Sequence, residues 1–350
     1  MRDGRVLTMI LVLAVPVSSI ATLSFGREAI WNGPVPEVTG SFGLIPQKFK
    51  EYEVVLEPDK NEPEWWAGAP SVCRDGDGIF WLACRMRTAE APLGRRGYEI
   101  RILRSEDGIH FEKVHSIPRE KVPIPGFERP ALLIDPHTQR FKLYACGPWK
   151  GGPWCIIKFE DADNPSEFVP SSARPVIEPP PKKSPRDYCV TGYKDPFILY
   201  AEGAYHCYVI GVLKNVERTF HFTSKDGETW ESVGSPYESI MDLDGWHNFF
   251  IRPASVLPLG VGYLFIYEGS NAKWYDPVYN IATGLGYTFD LHHVIDLTPD
   301  SPLLVSTRPS DLFHTWRYSH WMHVGDEIWA YAEVARENRS NEIRLFRLKR

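Results

Sequence analysis

One hairpin recurs five times along this 350-residue chain. The copies are GAPSVCRDGDGIFWLACRMR from Gly68, ERPALLIDPHTQRFKLYACG from Glu128, KDPFILYAEGAYHCYVIG from Lys194, IRPASVLPLGVGYLFIYEGS from Ile251 and YSHWMHVGDEIWAYAEV from Tyr318. Each reads as a short apolar strand, a turn with Gly or Asp, and an aromatic-rich strand. Four carry a marker proline, Pro70, Pro130, Pro196 and Pro253, and the fifth aligns with His320 in that place. The markers are 60, 66, 57 and 67 residues apart. A period near 60 residues with about four strands per copy fits a β-propeller blade, which buries its faces only against its neighbours. The expectation is an all-β chain, a five-bladed β-propeller over residues 45–350 with no second domain. EIRLFRLKR is its last strand, and a segment near SFGLIPQKF closes the ring.

The composition agrees. The chain has 30 Pro, 27 Gly, 12 Trp, 16 Tyr and 18 Phe, which suits many short strands and turns. A second marker follows two of the hairpins, RSEDGIHFEKV and TSKDGETWESV, with Ser105 and Ser224 119 residues apart. GYTFDLHHVID fills a similar place in the fourth copy. Asp and Gly make a tight turn there, and Phe111 or Trp230 packs between sheets, so these motifs read as structural.

The first 26 residues differ from the rest. Arg2 and Arg5 precede the apolar run VLTMILVLAVPV, and small residues Ser19 and Ala21 follow. This is the pattern of an export signal, which implies a secreted or periplasmic protein; an uncleaved anchor is the alternative. The net charge of −6 argues against a nucleic-acid partner. Six cysteines without a CxxC pair give neither a disulfide scaffold nor a zinc site. Cys146 and Cys155 flank a turn near Lys150 and Gly151, where a bridge and two free thiols are equally compatible with the pattern. No metal or other cofactor is implied, and the oligomeric state is not legible.

In a propeller, the innermost strands start around one axis and gather distant residues into one funnel. The residues at those starts are Ala69, Glu128 with Arg129, Asp195, Arg252, and Ser319 with His320. The second strands end near Arg85 and Arg87, Cys146, Gly211, Glu268 and Glu333. Charged groups at the ends of apolar strands are costly to bury unless paired or wet, so their convergence points to a polar ligand.

The five-fold order of blades opening with DP or RP, with SxDG turns, resembles the five-bladed propeller glycosidases of glycoside hydrolase families 43 and 32 and of family 130. KDPFILYAEGAYHCYVIG is similar to the Asp-Pro strand of families 43 and 32. The stretch from GYLFIYEGS to DSPLLVS is similar to one in family 130, which usually has His where Glu268 stands. Two positions depart: Ala69-Pro70 replaces the first-blade Asp of families 43 and 32, and ERP replaces the Asp-Pro-Arg of family 130. The resemblance implies an exported glycoside hydrolase acting on an oligo- or polysaccharide through paired carboxyls. The candidates by position are Glu128, Asp195 and Glu268, with Asp195 matching the family 43 and 32 Asp that supports the transition state or tunes the acid. Arg87, Arg129, Arg252, His247, His320 and Trp66 are candidate sugar-binding residues, with His323, Trp65, Trp246, Trp274 and Trp316 as further ones that core packing explains equally. Arginine forks grip carboxylates and phosphates, so Arg85, Arg87, Arg129, Arg252 and Arg317 favour an anionic sugar such as a uronic acid, or phosphate in a phosphorolytic reaction.

Three other readings compete. FERPALL resembles the Arg-x-Pro start of sialidases, but those have six blades. Lyases and phosphorylases also use propellers. A carbohydrate-binding propeller without chemistry is compatible with Ala69.

Overall fold

A computed structural model describes residues 48–349 except 95, 182–188, 236, 275 and 306–314. The expected export signal at residues 1–26 and most of SFGLIPQKF lie outside the described residues. Among those described, no helix is long and apolar enough to cross a membrane.

The strands form three four-stranded antiparallel sheets and one eight-stranded sheet, whose two antiparallel halves meet at a single parallel pair, Trp66 with Asn341; taking those halves separately gives five units of four. Unit I is β2 (Trp65–Arg74), β3 (Phe80–Thr88), β4 (Gly97–Ser105) and β5 (Glu112–Pro118). Unit II is β6 (Ala131–Ile134), β7 (Phe141–Pro148), β8 (Trp154–Lys158) and β9 (Arg174–Ile177). Unit III is β10 (Val190–Ala201), β11 (Ala204–Leu213), β12 (Val216–Ser224) and β13 (Glu231–Ser232). Unit IV is β14 (Phe250–Pro258), β15 (Tyr263–Ser270), β16 (Ala282–Thr288) and β17 (Ile295–Asp296). Unit V is β18 (Trp316–Val324), β19 (Glu327–Ala335) and β20 (Asn341–Lys349), completed by β1 (Glu53–Leu56), which pairs with β20. The start of the described chain therefore supplies the outer strand of the last unit. The expected closing segment lies a few residues upstream of the real one, although Phe49 from its end packs against Trp316, Trp321 and Phe346.

Each interface between neighbouring units has its own apolar core. Cores join I to II, II to III, III to IV, IV to V and V to I, so no unit has an uncovered broad face among the described residues. The same order holds among the first strands: β2, β6, β10, β14 and β18 each touch the next, and β18 touches β2.

Polar clasps fix the angle at each interface. Ser71 of unit I accepts the N–H of Leu132 in unit II at 2.9 Å, and Ser255 of unit IV accepts that of Trp321 in unit V at 3.1 Å. The other three interfaces use tyrosines. Tyr144 donates to Gly227 O at 2.7 Å, Tyr331 to Gly108 O at 2.8 Å, and Tyr208 to Leu291 O at 2.5 Å. Their acceptors lie in the SxDG turns and the related turn at Asp290. Ser105 and Ser224 accept the turn N–H groups of Gly108 and Gly227, while Phe111 and Trp230 pack edge-on to Tyr331 and Tyr144. These turns are fasteners between units.

Candidate functional site

The first strands of units I, III and V carry a bulge at the marker. Register skips between Gly68 and Ser71, between Lys194 and Phe197, and between Arg317 and His320. Ala69, Asp195 and Tyr318 occupy equivalent places, with φ of 53°, 55° and 53° in the left-handed region. A bulge re-aims the side chain at its crest, here toward the other units. The equivalence corrects the sequence alignment of unit V by one residue. Ser319, not His320, stands where the other units have proline, and Tyr318 is the counterpart of Asp195.

Around these crests, side chains from all five units make one buried network. The Arg129 N–H donates to Asp195 Oδ1 at 3.1 Å and the Tyr318 hydroxyl donates to Asp195 Oδ2 at 3.1 Å. Cys146 Sγ accepts the Asp195 N–H at 3.1 Å. Ser319 N–H donates to Glu268 Oε1 at 3.3 Å, while Glu268 Oε2 makes no hydrogen bond among the described residues. Glu268 is fully buried, and burial pushes its pKa up to about 7 against the pull of Arg129 and Arg252.

A second layer is built on Glu333. Its carboxylate accepts from Arg85 at 2.9 Å, Arg317 at 2.7 Å, Asn341 at 2.6 Å and the Ala69 N–H at 3.0 Å. Gly68 is required beside it, because a Cβ there would overlap the carboxylate. Arg85 also pairs with Glu128. Burial works to raise the Glu128 pKa, but Arg85, Arg87 and Lys194 hold the carboxyl well below the usual carboxylate range. Glu128 and Glu268 are thus driven in opposite directions by their surroundings.

The structure sorts the other candidates. Arg129 is fully buried and spends its guanidinium on main-chain carbonyls, Pro253 at 3.1 Å and Ala254 at 2.6 Å, so it braces unit II to unit IV instead of facing a ligand. Arg252 pairs with Glu217. Of the arginines expected to favour an anionic sugar, Arg129 is thus engaged by main-chain carbonyls and Arg252 by a carboxylate. Arg87 lies nearer the open side, 3.5 Å from Glu128 and over the Trp66 ring at 4.5 Å. Trp66 is mostly buried, with its indole N–H on Arg339 O at 3.2 Å. His320 lies beside Phe197, and burial pushes its pKa down to about 3. His247 is outside the network: it caps a short turn, bonds Asp296 at 3.0 Å and packs on Tyr267. His323 bonds Pro258 O on the exterior. Trp65, Trp246 and Trp316 are core residues, and Trp274 stacks on Trp246. Cys146 and Cys155 are free, because they occupy adjacent positions on facing strands and point to opposite faces.

The sequence placed Glu333 at the funnel without a role, and left Tyr318, Glu217, Arg96, Trp154 and Lys194 unselected. Glu333 ends the second strand of unit V as Arg85 does that of unit I, a signal the repeat contained. Arg96 and Trp154 lie outside the hairpin copies and carry no pattern that marks them. Among the described residues, no group of three or more His, Cys, Asp or Glu is placed to hold a metal ion.

No family model matches this sequence, and no curated protein matches it. Solved structures match in fold. One, a glycosyl hydrolase from Bacteroides ovatus, is 13% identical, covering 84% of this chain and 93% of its own, with a TM-score of 0.62. Another is described by the words "The GH130 family of mannoside phosphorylases contains glycoside hydrolases that target beta-1,2 mannosidic linkages in Candida mannan"; it is 14% identical over 84% of this chain and 93% of its own, TM-score 0.61. A third, a Bacteroides ovatus Xyloglucan PUL GH43B, is 14% identical over 83% of this chain and 53% of its own, TM-score 0.54. In architecture, the chain resembles the propeller glycosidases of families 130 and 43.

Proposed function

We propose that the five units are the blades of one five-bladed β-propeller and that the protein is an exported enzyme that hydrolyses glycosidic bonds in an oligo- or polysaccharide. The closed order of cores and first strands supports the blade count. The observation that carries the function is the pair of buried carboxyls set apart by environment. Glu128 is held ionised by arginines, and Glu268 titrates near neutrality. Two carboxyls with separated pKa values divide the work of glycoside cleavage between an ionised group and a proton donor. Glu268, through its free Oε2, gives a proton to the leaving glycosidic oxygen. Glu128, on the more open side, takes a proton from a water whose oxygen bonds the anomeric carbon as the glycosidic C–O bond breaks, and solvent exchange then returns both carboxyls to their starting states. Asp195, held by Arg129 N–H and Tyr318, supports the charge of the transition state. Arg87 and Trp66 line the way in.

The test is release of new reducing ends from a panel of neutral and acidic oligosaccharides in phosphate-free buffer. Cleavage that Glu268→Gln and Glu128→Gln each abolish supports the reading. Binding without cleavage makes the protein a carbohydrate-binding propeller. Cleavage that requires phosphate and yields a sugar phosphate makes it a phosphorylase.

A further inference from the structure

We infer that the mouth of the funnel holds an acidic sugar by its carboxylate, gripped by Arg96 and Lys194 above the ring of Trp154. This rests on the reading of the funnel as a saccharide site and names the chemical class it takes.

The argument begins with unbalanced charge. Arg96, Lys194 and Arg87 lie on the more exposed side of the network with Arg252 buried behind them, and the carboxylates these four pair with among the described residues are Glu128 and Glu217. Glu128 already pairs with the deeper Arg85, so its two oxygens face three guanidinium groups. Glu217 likewise serves both Lys194 and Arg252. The cations outnumber the carboxylates here, although the whole chain carries a net charge of −6. An acidic overall field repels an anionic glycan, so a local basic mouth is the feature that would admit one.

The geometry selects which cations are available. Arg96 reaches Glu128 only at 3.4 Å, and 47% of its side chain is exposed. Its guanidinium lies over the Trp154 ring at 4.8 Å, and Lys194 Nζ lies 5.9 Å from the same ring. Arg96 comes from unit I, Trp154 from unit II and Lys194 from unit III, so the fold has brought two cations within 6 Å of one half-buried indole. Gly192 makes room for this, since a Cβ there would press on Trp154 Cβ at 2.9 Å. An indole face stacks on the apolar side of a sugar ring, and the flanking cations donate charged hydrogen bonds to its carboxylate. The mouth adjoins Glu128, so the acidic unit sits next to the bond that is cut.

The experiment measures binding of uronic-acid-containing oligosaccharides and of their carboxyl-reduced, neutral counterparts by calorimetry, with wild type, Arg96→Met and Lys194→Met. Both side chains are at least partly exposed, so the variants should fold. The expected result is tighter wild-type binding of the acidic member, and a loss of roughly 10- to 150-fold in each variant for that member alone. The neutral member should change less than about threefold, within the range of an exposed charge. Equal losses for both members, or equal wild-type affinity, overturn the inference and leave the glycosidase reading standing. Competition by inorganic phosphate with release of sugar phosphate overturns it too, by assigning the cations to phosphate. If a folded protein binds and cleaves neither member of any pair, the glycosidase reading itself fails and takes the inference with it.

Discussion

The main-chain N–H of Arg129 donates to Asp195 Oδ1 at 3.1 Å, from a residue 66 positions earlier in the sequence. The contact joins the start of unit II to the crest of unit III and leaves Asp195 with a donor on each oxygen, Tyr318 being the second. Asparagine retains an acceptor for the N–H, whereas alanine leaves two buried donors unpaired. Asp195→Asn should therefore keep the melting temperature within a few degrees and lower turnover at least roughly 100-fold. Asp195→Ala should also lose about 1–3 kcal/mol of stability. Thermal melts and initial rates check both, and an Asn variant with full activity removes Asp195 from the chemistry.

Arg129 should behave as scaffold. Replacing it with methionine leaves the buried carbonyls of Pro253 and Ala254 without donors, at a cost of about 2–4 kcal/mol. Arg87→Met, at the more open side, should cost less stability than Arg129→Met and act on substrate affinity instead. Urea midpoints for the two variants should differ in that order.

Glu268 should tie stability to pH. Its folded pKa is raised to about 7 by burial, so the folded state holds a proton that the unfolded polypeptide releases near pH 4. That contribution is complete below about pH 4 and is lost as pH rises through about 7, a swing on the order of 3 kcal/mol. Glu268→Gln removes it. The difference in stability, variant minus wild type, should rise between pH 5 and 8; a flat difference would show that the carboxyl is not held neutral.

The tyrosine clasps should contribute separately. Tyr144→Phe and Tyr331→Phe each strand a carbonyl in an SxDG turn and should cost about 1 kcal/mol. They lie in different interfaces, so the double variant should cost their sum. A markedly larger combined loss in chemical denaturation would mean that the ring opens at one weak interface.

A histidine row crosses the interface of units III and IV. His206 Nδ1 and His221 Nε2 are 3.0 Å apart, and His221 Nδ1 and His292 Nδ1 are 3.2 Å apart. Burial lowers all three pKa values, that of His221 to about 3. Depressed histidines stabilise the fold above their unfolded pKa near 6.5, and this is lost as pH falls toward 3. His221→Gln keeps a donor and an acceptor without titrating. Its melting temperature should fall less between pH 7.5 and 5 than that of wild type.

The repeat determined by itself that the protein is all-β, where its five hairpins lie and that the SxDG turns are structural. Those features depend on contacts between residues close in sequence and on alternation along a strand, both of which a repeat displays directly. The closing strand was legible only to within a few residues, because β1 lacks a hairpin partner that would mark it. The site was legible as a collection: Glu128, Asp195 and Glu268 do join one network. What each member is paired with was decided by tertiary structure. Arg129 and Arg252 look alike in sequence, each opening a strand before proline, yet one is bound to carbonyls more than 120 residues away and the other to Glu217. Ser319 displaced His320 because a bulge shifts register by one residue without changing composition. The pKa of a carboxyl follows from how deeply the ring buries it and which guanidinium groups it meets there, and those distances exist only once all five units have closed on one another.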